Sequence, residues 1–285
     1  MPYIQHSLGN TWYTKRGRRS ARAPLVTLHG GPGSGHASMK PYSSLSDSRQ
    51  VYLYDQLGCG NSAPTAKKRW TVKTFVTELD HLLEAWGIQS FHLLGTSWGG
   101  TLALEYHLAR RPPGLLSLTL QSPMVRALDW QRDATRLLKA LPAATRKVIR
   151  YCHEIGATDS KVYKDAMFEF YSRHVLRDKK ALRAQPPRSE GGQNIYQHMW
   201  GPSEFQVSGT LKDYDRTAAL PSVSVPTLFV CGEFDEATPR TTARYAAKVP
   251  GAELEVISNA SHIITKEKPA TLNRIVGRFL EQHDI

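Results

Sequence analysis

Short apolar runs alternate with longer segments of helical spacing over the first 122 residues. Each apolar run ends at a glycine or a polar turn, which is typical of a buried strand. These runs are PLVTL (24–28), QVYLYD (50–55), FHLLG (91–95) and LLSLTLQS (115–122). Between the second and third runs, residues 71–87 repeat apolar side chains at i, i+3 and i+4 and end at Gly87, which predicts an amphipathic helix. The alternation predicts a parallel sheet covered by helices on both faces.

The pattern changes between residues 123 and 221, where the apolar spacing is helical and no run could extend the sheet. The strand pattern resumes with PTLFVCG (226–232) and ELEVIS (253–258), and residues 269–283 form a last amphipathic pattern. We therefore predict an α/β core built from residues 1–122 and 222–285, with a helical lid inserted at 123–221. A ligand is expected in the cleft between lid and core.

Charge and composition narrow the class of partner. The chain of 285 residues has 37 Lys and Arg against 25 Asp and Glu, a formal net charge of +12. The basic residues cluster at 15–19, 67–69 and 177–188, but no RNA- or DNA-binding motif surrounds them. A solvated basic face is the simpler interpretation, so nucleic acid is not an expected partner.

Three further features bear on location and cofactors. No apolar run approaches the roughly 18 to 20 residues of a membrane span, and residues 1–24 lack the apolar centre of a signal peptide. We expect a cytoplasmic protein without a membrane partner. Cys59, Cys152 and Cys231 are odd in number and far apart, which favours free thiols over a disulfide framework or a zinc site.

The segment LLGTSWGGTLAL (93–104) contains the pattern G-x-S-x-G at Gly95, Ser97 and Gly99. By itself this pattern is common. Here a predicted strand precedes it and a helical stretch follows it, which is the strand-to-helix turn that holds a nucleophilic serine in a strained, exposed conformation. Ser97 is therefore the candidate nucleophile.

A serine nucleophile needs a base, and the base needs an acid to orient it; in this fold they follow in the order Ser, Asp or Glu, His. Asp235 lies in the loop after the strand at 226–232. Beyond it only His262 and His283 remain, and His283 is at the chain end, where fraying is expected. We take His262 as the base. Two structural alternatives stay open, Asp235 as a helix cap and His262 as an ordinary loop histidine. Three upstream histidines have the wrong chain order and are interpreted as structural: His29, His92 and His107.

The glycine-rich stretch HGGPGSG (29–35) follows the first buried strand. It could cradle phosphate, form an oxyanion hole, or be a tight turn. The phosphate interpretation lacks both the G-K-[S/T] ending and a G-x-G-x-x-G pattern with a downstream ribose-binding acid. Acyl transfer needs N–H donors for the developing oxyanion. The N–H of Trp98, next to the nucleophile, and one N–H from an early loop such as this one normally supply them.

Several segments together resemble the proline iminopeptidase family of α/β hydrolases, which includes the tricorn-interacting aminopeptidase of archaea. In the core these are HGGPG, YDQLGCGNS (54–62), GTSWGG, GEFDEATP and SH. In the lid, FYSRHVLR (170–177) and MWGPSEFQVSGTLKDYD (199–215) are similar to segments of that family. The lid is the more specific part, because the core motifs also occur in many esterases and C–C hydrolases.

The resemblance implies an α/β-hydrolase fold, a mostly parallel sheet with helices on both faces and an inserted helical lid. It implies a serine hydrolase without a metal or organic cofactor. It also implies roles for seven residues: a triad of Ser97, Asp235 and His262, an oxyanion hole of the N–H groups of Gly31 and Trp98, and the α-amine-binding carboxylates Glu204 and Glu236.

The resulting hypothesis is a serine aminopeptidase that releases N-terminal proline, or another small or apolar residue, through an acyl-enzyme. Its substrate would be a small peptide or aminoacyl compound with a free α-amine. One alternative is an amino-acid amide or ester hydrolase with the same triad. Another is a non-catalytic small-molecule receptor on a hydrolase scaffold. Four aromatic residues could line the specificity pocket or simply pack in the lid: Phe170, Tyr171, Trp200 and Phe205.

Overall fold

A mostly parallel sheet forms the centre of the computed structural model, which describes residues 2–284. In this part of the chain eight strands hydrogen-bond in the order β1-β2-β4-β3-β5-β6-β7-β8. Their bounds are β1 Tyr3–His6, β2 Gly9–Arg16, β3 Leu25–Leu28, β4 Val51–Tyr54, β5 Phe91–Thr96, β6 Leu115–Gln121, β7 Thr227–Gly232 and β8 Glu253–Ile257. The six strands from β3 to β8 match the six runs identified in the sequence and pair in parallel, so the predicted fold class is confirmed.

The hairpin of β1 and β2 is absent from the sequence-based prediction. β1 pairs antiparallel with β2, and β2 pairs antiparallel with β4, so the hairpin forms one edge of the sheet. Both strands are largely half-buried or exposed and carry polar side chains, as in GNTWYTKR of β2. An edge hairpin needs few buried apolar residues, so its sequence lacks the apolar run that marks the central strands.

Residues 2–284 also contain ten α-helices and three 3-10 helices. The α-helices are α1 Val72–Ala85, α2 Trp98–Arg110, α3 Ala127–Lys139, α4 Ala143–Glu154, α5 Lys161–His174, α6 Lys179–Arg183, α7 Glu190–Met199, α8 Pro239–Ala246, α9 Ile264–Glu267 and α10 Pro269–Gln282. The 3-10 helices are η1 His36–Asp47, η2 Lys67–Arg69 and η3 Leu220–Ser222. None of the helices in this part of the chain is long and apolar enough to cross a membrane.

Helices cover both faces of the sheet. Side chains of α1 and α2, such as Leu79 and Leu102, pack in one core cluster, and those of η1 and α10, such as Tyr42 and Phe279, pack in a second cluster. α1 agrees closely with the helix predicted at 71–87, and its cap is Thr71, whose side chain accepts a hydrogen bond from the Thr74 N–H. These two layers fix the carboxyl ends of the parallel strands, where the candidate residues lie.

Helices α3 to α7 lie between β6 and β7, in the segment that the sequence predicts as a lid. They have an apolar cluster of their own that includes Ile149, Met167 and Phe170. Two contacts attach α3 to α8 of the core: the Thr238 hydroxyl donates to Asp133 at 2.6 Å, and the Tyr245 hydroxyl donates to Asp129 at 3.1 Å. The exact division of the chain at 122/123 and 221/222 stays a prediction.

Glu78 of α1 is a fully buried carboxyl that contacts the loop after β4. Its Oε1 accepts hydrogen bonds from the Thr11 hydroxyl at 2.5 Å and from the Leu57 N–H at 2.9 Å. Burial raises the pKa of Glu78 from 4.5 to about 8, although these two hydrogen bonds act in the opposite direction. Glu78 is therefore largely protonated in the folded protein at neutral pH.

The buried carboxyl predicts a pH-dependent stability difference. Above the unfolded-state pKa of 4.5 the unfolded chain releases a proton that the folded chain keeps up to about pH 8. The stability contributed by Glu78 is thus fully present below pH 4.5 and is lost as the pH rises toward the folded-state pKa of about 8. Relative to Glu78→Gln, the wild type should lose on the order of 3 kcal/mol of unfolding free energy between about pH 5 and about pH 8.

Urea unfolding of both proteins across this pH range measures the difference. Glu84→Gln is the matched control, because Glu84 lies on the exposed face of the same helix. Its stability should follow the wild type at every pH. If the curves for Glu78→Gln and wild type run parallel, Glu78 does not hold a proton in the folded state.

Candidate active site

The turn between β5 and α2 holds Ser97 in a conformation that non-glycine residues rarely adopt, with φ 55° and ψ −121°. The two flanking glycines allow the turn, since a Cβ on Gly95 would overlap the Gly99 carbonyl and a Cβ on Gly99 would overlap the Leu28 carbonyl. Ser97 is only partly buried, whereas Trp98 after it is 1% exposed. The strained serine is therefore presented at the sheet edge, as the sequence motif predicts.

Asp235 and His262 lie in the loops after β7 and β8 and are in direct contact. His262 Nδ1 lies 2.8 Å from Asp235 Oδ1. Asp235 is 1% exposed and accepts further hydrogen bonds from the Ser122 hydroxyl at 2.6 Å and the Ala237 N–H at 2.8 Å. These donors hold the carboxylate in place, so it can fix the orientation of the imidazole. Ser122, in the loop after β6, was not identified from the sequence.

The structural alternative for Asp235 is wrong. The N-cap of α8 is Thr238, whose side chain accepts a hydrogen bond from the Thr241 N–H. Asp235 precedes this cap and its carboxylate contacts His262 instead.

Ser97 and His262 are linked through Gln121, the last residue of β6. The Ser97 N–H donates to the Gln121 carbonyl at 2.8 Å, and the Gln121 side-chain amide lies 3.5 Å from the His262 carbonyl. Within residues 2–284 the Ser97 hydroxyl makes no hydrogen bond to His262. Of the two contacts that a triad needs, the one between Asp235 and His262 is therefore formed, and the hydrogen bond between Ser97 and His262 is not. Such contacts often tighten only when substrate is bound.

The glycine-rich loop lies directly beside the serine. A Cβ on Gly30 would lie 3.0 Å from the Thr96 carbonyl oxygen and 3.3 Å from the Ser97 Cβ, so any other residue here would crowd the turn at the serine. Gly31 follows at φ 117° and is partly exposed. In the described part of the chain, neither the Gly31 N–H nor the Trp98 N–H has a hydrogen-bond acceptor. Two free N–H donors beside a serine are the arrangement that an oxyanion needs.

Gln56 connects the two halves of this donor pair, although the sequence did not single it out. Its side-chain nitrogen donates to the His29 carbonyl at 2.9 Å, and its side-chain oxygen accepts from the Trp98 indole N–H at 2.9 Å. Its backbone N–H donates to His29 Nε2 at 3.0 Å, which leaves the proton of the neutral ring on Nδ1. That nitrogen lies 3.0 Å from the Gly30 carbonyl. Burial lowers the pKa of His29, consistent with a neutral structural histidine.

Glu236 is a buried carboxyl next to the Asp235–His262 pair. It is 2% exposed, its Oε1 lies 4.0 Å from His262 Nε2, and its Oε2 is buried without a hydrogen-bond partner among residues 2–284. Glu204 lies on the lid and is partly buried; its Oε1 accepts a hydrogen bond from the Tyr196 hydroxyl at 2.7 Å. Burial first, and then the charge of Glu204, raise the pKa of Glu236 well above its ordinary value. Glu236 therefore lies beside the imidazole with an acceptor oxygen that is free among residues 2–284, and the charge of Glu204 acts on it.

The charge at this site also acts on the imidazole. Burial alone would lower the pKa of His262, but the charge and hydrogen bond of Asp235, followed by the charges of Glu236 and Glu204, raise it to about 9. A cation placed between Glu204 and Glu236 would offset two of these charges and lower the pKa of His262. The base would then be free to accept a proton at neutral pH.

Aromatic side chains of the lid form one wall of the site. The ring of Trp130 is perpendicular to that of His262, with centroids 5.7 Å apart, and its indole N–H donates to the Glu204 carbonyl at 3.0 Å. Trp200 packs against Trp130 at 5.2 Å. Trp130 was missed because its helical spacing in α3 also suits ordinary packing.

The four aromatic candidates from the sequence divide between two surroundings. Phe170 and Phe205 contact each other within the apolar cluster of the lid, at 4.5 Å between ring centroids. Trp200 belongs to the wall described above. Tyr171 packs against the same apolar cluster, with its ring 6.2 Å from that of Phe170. Burial, followed by the charges of Glu204 and Glu236, raises the pKa of its hydroxyl. In the described residues, no group of three or more His, Cys, Asp and Glu could hold a metal ion.

Comparison with known proteins agrees with this geometry. Residues 23–269 match the family model of the alpha/beta hydrolase fold. The chain is 38% identical to a proline iminopeptidase of Heyndrickxia coagulans over 281 residues, which covers 98% of this chain and 97% of the relative. A crystal structure of proline iminopeptidase from Mycobacterium smegmatis has TM-score 0.87 and 35% identity, covering 99% of this chain and 97% of that one. The crystal structure of VinJ has TM-score 0.91 and 35% identity, covering 99% and 98%.

Near-complete coverage at this identity extends through both the core and the lid. It also agrees with the resemblance carried by the sequence motifs. The chain therefore belongs to the proline iminopeptidase family of the α/β hydrolases.

Proposed function

We propose that this protein is a serine aminopeptidase that releases the N-terminal residue, proline or another small or apolar one, from peptides. The observation that carries the proposal is the pair Glu204 and Glu236 beside His262, with a buried Glu236 oxygen that lacks a partner in residues 2–284. A carboxylate pair in a partly dry cleft accepts an ammonium group and repels anionic ends. Relatives named proline iminopeptidase along the whole chain support the same activity.

In the proposed mechanism the α-ammonium binds Glu204 and Glu236, and Ser97 Oγ attacks the carbonyl carbon of the N-terminal residue. His262 Nε2 accepts the serine proton, while Asp235 holds Nδ1 and stabilises the imidazolium. The bound ammonium assists this transfer because it offsets the carboxylate charges that raise the pKa of His262. His262 then protonates the leaving amine. In the second half of the cycle water attacks the acyl carbon, and His262 accepts its proton and returns a proton to the departing Ser97 Oγ.

The oxyanion that forms on the substrate carbonyl is proposed to bind the N–H groups of Gly31 and Trp98. Both donors are free in the described residues, so no bond must break before they act. Gln56 fixes the positions of the two N–H donors relative to each other, because its side chain hydrogen-bonds to His29 in the glycine-rich loop and to Trp98 after the serine. Fixed donors of this kind stabilise developing charge without reorganisation during the reaction.

A panel of aminoacyl arylamides, each with a free and an N-acetylated amine and including proline, tests the proposal. Free-amine substrates should have kcat/KM values at least about 30-fold above their acetylated forms, because acetylation removes the charge that the carboxylates bind. The best N-terminal residue in the panel identifies the specificity.

Peptides, amino-acid amides and esters of the preferred residue separate the alternatives. Cleavage of amides and esters without cleavage of peptides would favour an amide or ester hydrolase. Equal rates for free and acetylated forms would contradict the proposed role of Glu204 and Glu236. Binding without turnover of any substrate would favour a receptor.

A further inference from the structure

The guanidinium of Arg188, just before α7, lies over the ring of Tyr196 with its carbon 3.9 Å from the ring centroid. Its Nε is buried and has no hydrogen-bond partner within residues 2–284. Some other lid arginines pair with carboxylates, as Arg173 does with Glu169 and Arg216 with Glu105. Arg188 pairs with no carboxylate of the described chain. A buried N–H without an acceptor is costly, so a ligand that supplies the acceptor would bind favourably here.

The backbone near Arg188 rests on the glycine-rich loop. The first turn of α7 is so close to it that a Cβ on Gly192 would overlap the Gly33 carbonyl. At the other end of the arginine, Tyr196 donates its hydroxyl proton to Glu204. Arg188 therefore precedes a helix whose first turn contacts the proposed oxyanion loop, and its guanidinium stacks on the tyrosine that bonds Glu204.

The charge of Arg188 also acts on the cleft. Burial raises the pKa of the Tyr171 and Tyr196 hydroxyls and of the Cys59 thiol, and the arginine charge partly offsets each rise. Cys59 belongs to the loop after β4, so this influence reaches both lid and core. Arg188, which has no carboxylate partner in residues 2–284, thus acts on the same side chains as the carboxylates do.

A short peptide carries the complementary charges. With its ammonium at Glu204 and Glu236, the departing part extends away from that site and ends in a carboxylate. Each added residue moves this carboxylate by at most about 3.6 Å, so only di- and tripeptides keep it near the cleft. A guanidinium can bind a carboxylate through two parallel hydrogen bonds.

We propose that Arg188 binds the C-terminal carboxylate of di- and tripeptide substrates, so that the enzyme recognises both charged ends of a short peptide. This inference rests on the proposed aminopeptidase activity. It assigns the substrate class as short zwitterionic peptides. Arg188 is then a binding residue for the leaving portion, and it has no part in substrates that lack a carboxylate.

The test compares kcat/KM for a prolyl dipeptide as free acid and as C-terminal amide, and for proline arylamide. In Arg188→Gln the free acid should fall by about 10- to 100-fold, while the amide and the arylamide change by less than about 3-fold. Arg188→Lys keeps the charge but loses the paired N–H donors of the guanidinium, so its kcat/KM for the free acid should be intermediate between wild type and Arg188→Gln. In the wild type, the preference for acid over amide should disappear for peptides of about six residues.

Arg183→Gln is the matched control, since Arg183 is an exposed lid arginine that stacks on Phe168 at 4.5 Å. It should leave all three substrates unchanged. If kcat/KM for the acid and for the amide fall equally in Arg188→Gln, the proposal is overturned, and Arg188 instead contacts the substrate backbone or supports lid packing. Unchanged values for all substrates would overturn it as well. Turnover of the arylamide by the wild type tests the aminopeptidase activity separately, so failure of one proposal is distinguishable from failure of the other.

Discussion

Replacement of Ser97 by Ala is expected to lower kcat for every acyl substrate by about 10,000-fold or more, because no other group can form the acyl-enzyme. The protein should remain folded. Alanine meets the same backbone strain as serine at φ 55°, and within residues 2–284 the serine hydroxyl makes no hydrogen bond that would be lost. The measurement is active-site turnover of proline arylamide together with thermal unfolding of the same preparation.

Two further variants sharpen this result. Ser90→Ala removes an exposed hydroxyl just before β5, at the opposite end of the strand that leads to Ser97, and should retain full activity. Ser97→Gly should also be inactive but unfold at a higher temperature than Ser97→Ala, since glycine adopts positive φ without the cost to other residues. Substantial turnover by pure Ser97→Ala would show that Ser97 is not the nucleophile.

Replacement of Glu204 by Gln is expected to lower kcat/KM for free-amine substrates by about 30- to 5,000-fold, equivalent to about 2 to 5 kcal/mol of transition-state binding. The amide oxygen of Gln can still accept the hydrogen bond from Tyr196, so the variant removes charge while it keeps the lid contact. The loss arises because the ammonium then faces Glu236 alone, whose pKa is raised well above its ordinary value by burial.

A neutral aryl ester without an amine distinguishes binding of the ammonium from general damage. Its hydrolysis by Glu204→Gln should not fall below the wild-type rate, and at neutral pH it should rise, because loss of the Glu204 charge lowers the pKa of His262. Glu154→Gln, at an exposed lid glutamate on α4, controls for the removal of one lid charge and should leave both substrates unaffected. If ester and free-amine substrates decline together, Glu204 supports the lid and does not bind the amine.

The two carboxylates and the imidazole form one electrostatic unit. Glu236 Oε1 is 4.0 Å from His262 Nε2, the nitrogen that the mechanism assigns to proton transfer. The charges that we propose to bind the substrate amine are therefore among those that raise the pKa of His262 when the amine is absent. Amine binding and activation of the base are coupled for this reason, which favours substrates with a free N-terminus at the chemical step as well as at binding.

Local features of the sequence were sufficient for much of the fold. The strands β3 to β7 are largely continuous apolar runs, because a parallel strand inside the sheet is buried on both faces, and their pattern was recognisable. β8 is the other edge strand and is mostly half-buried or exposed, but its alternating apolar residues still allowed it to be predicted. The hairpin of β1 and β2 was not recognisable, since an edge strand owes its position to pairing with β4 and not to burial of its own side chains. The tight turn at Ser97 was predictable because the glycines on either side are a local requirement.

The residues that support the site were decided by tertiary structure. Gln56, Ser122 and Trp130 look like ordinary polar or packing residues along the chain, and their roles arise only from contacts with residues far away in sequence. The sequence by itself identified the candidate reactive residues, because the motif constrains the turn at Ser97 and chain order narrows the choice of acid and base. Only the tertiary structure decided which groups surround these residues, because it brings the strand-end loops and the lid together, and burial and charge effects depend on distance in space. The Arg188 Nε and the Glu236 Oε2, both buried without a hydrogen-bond partner in residues 2–284, are features that only the tertiary structure could reveal.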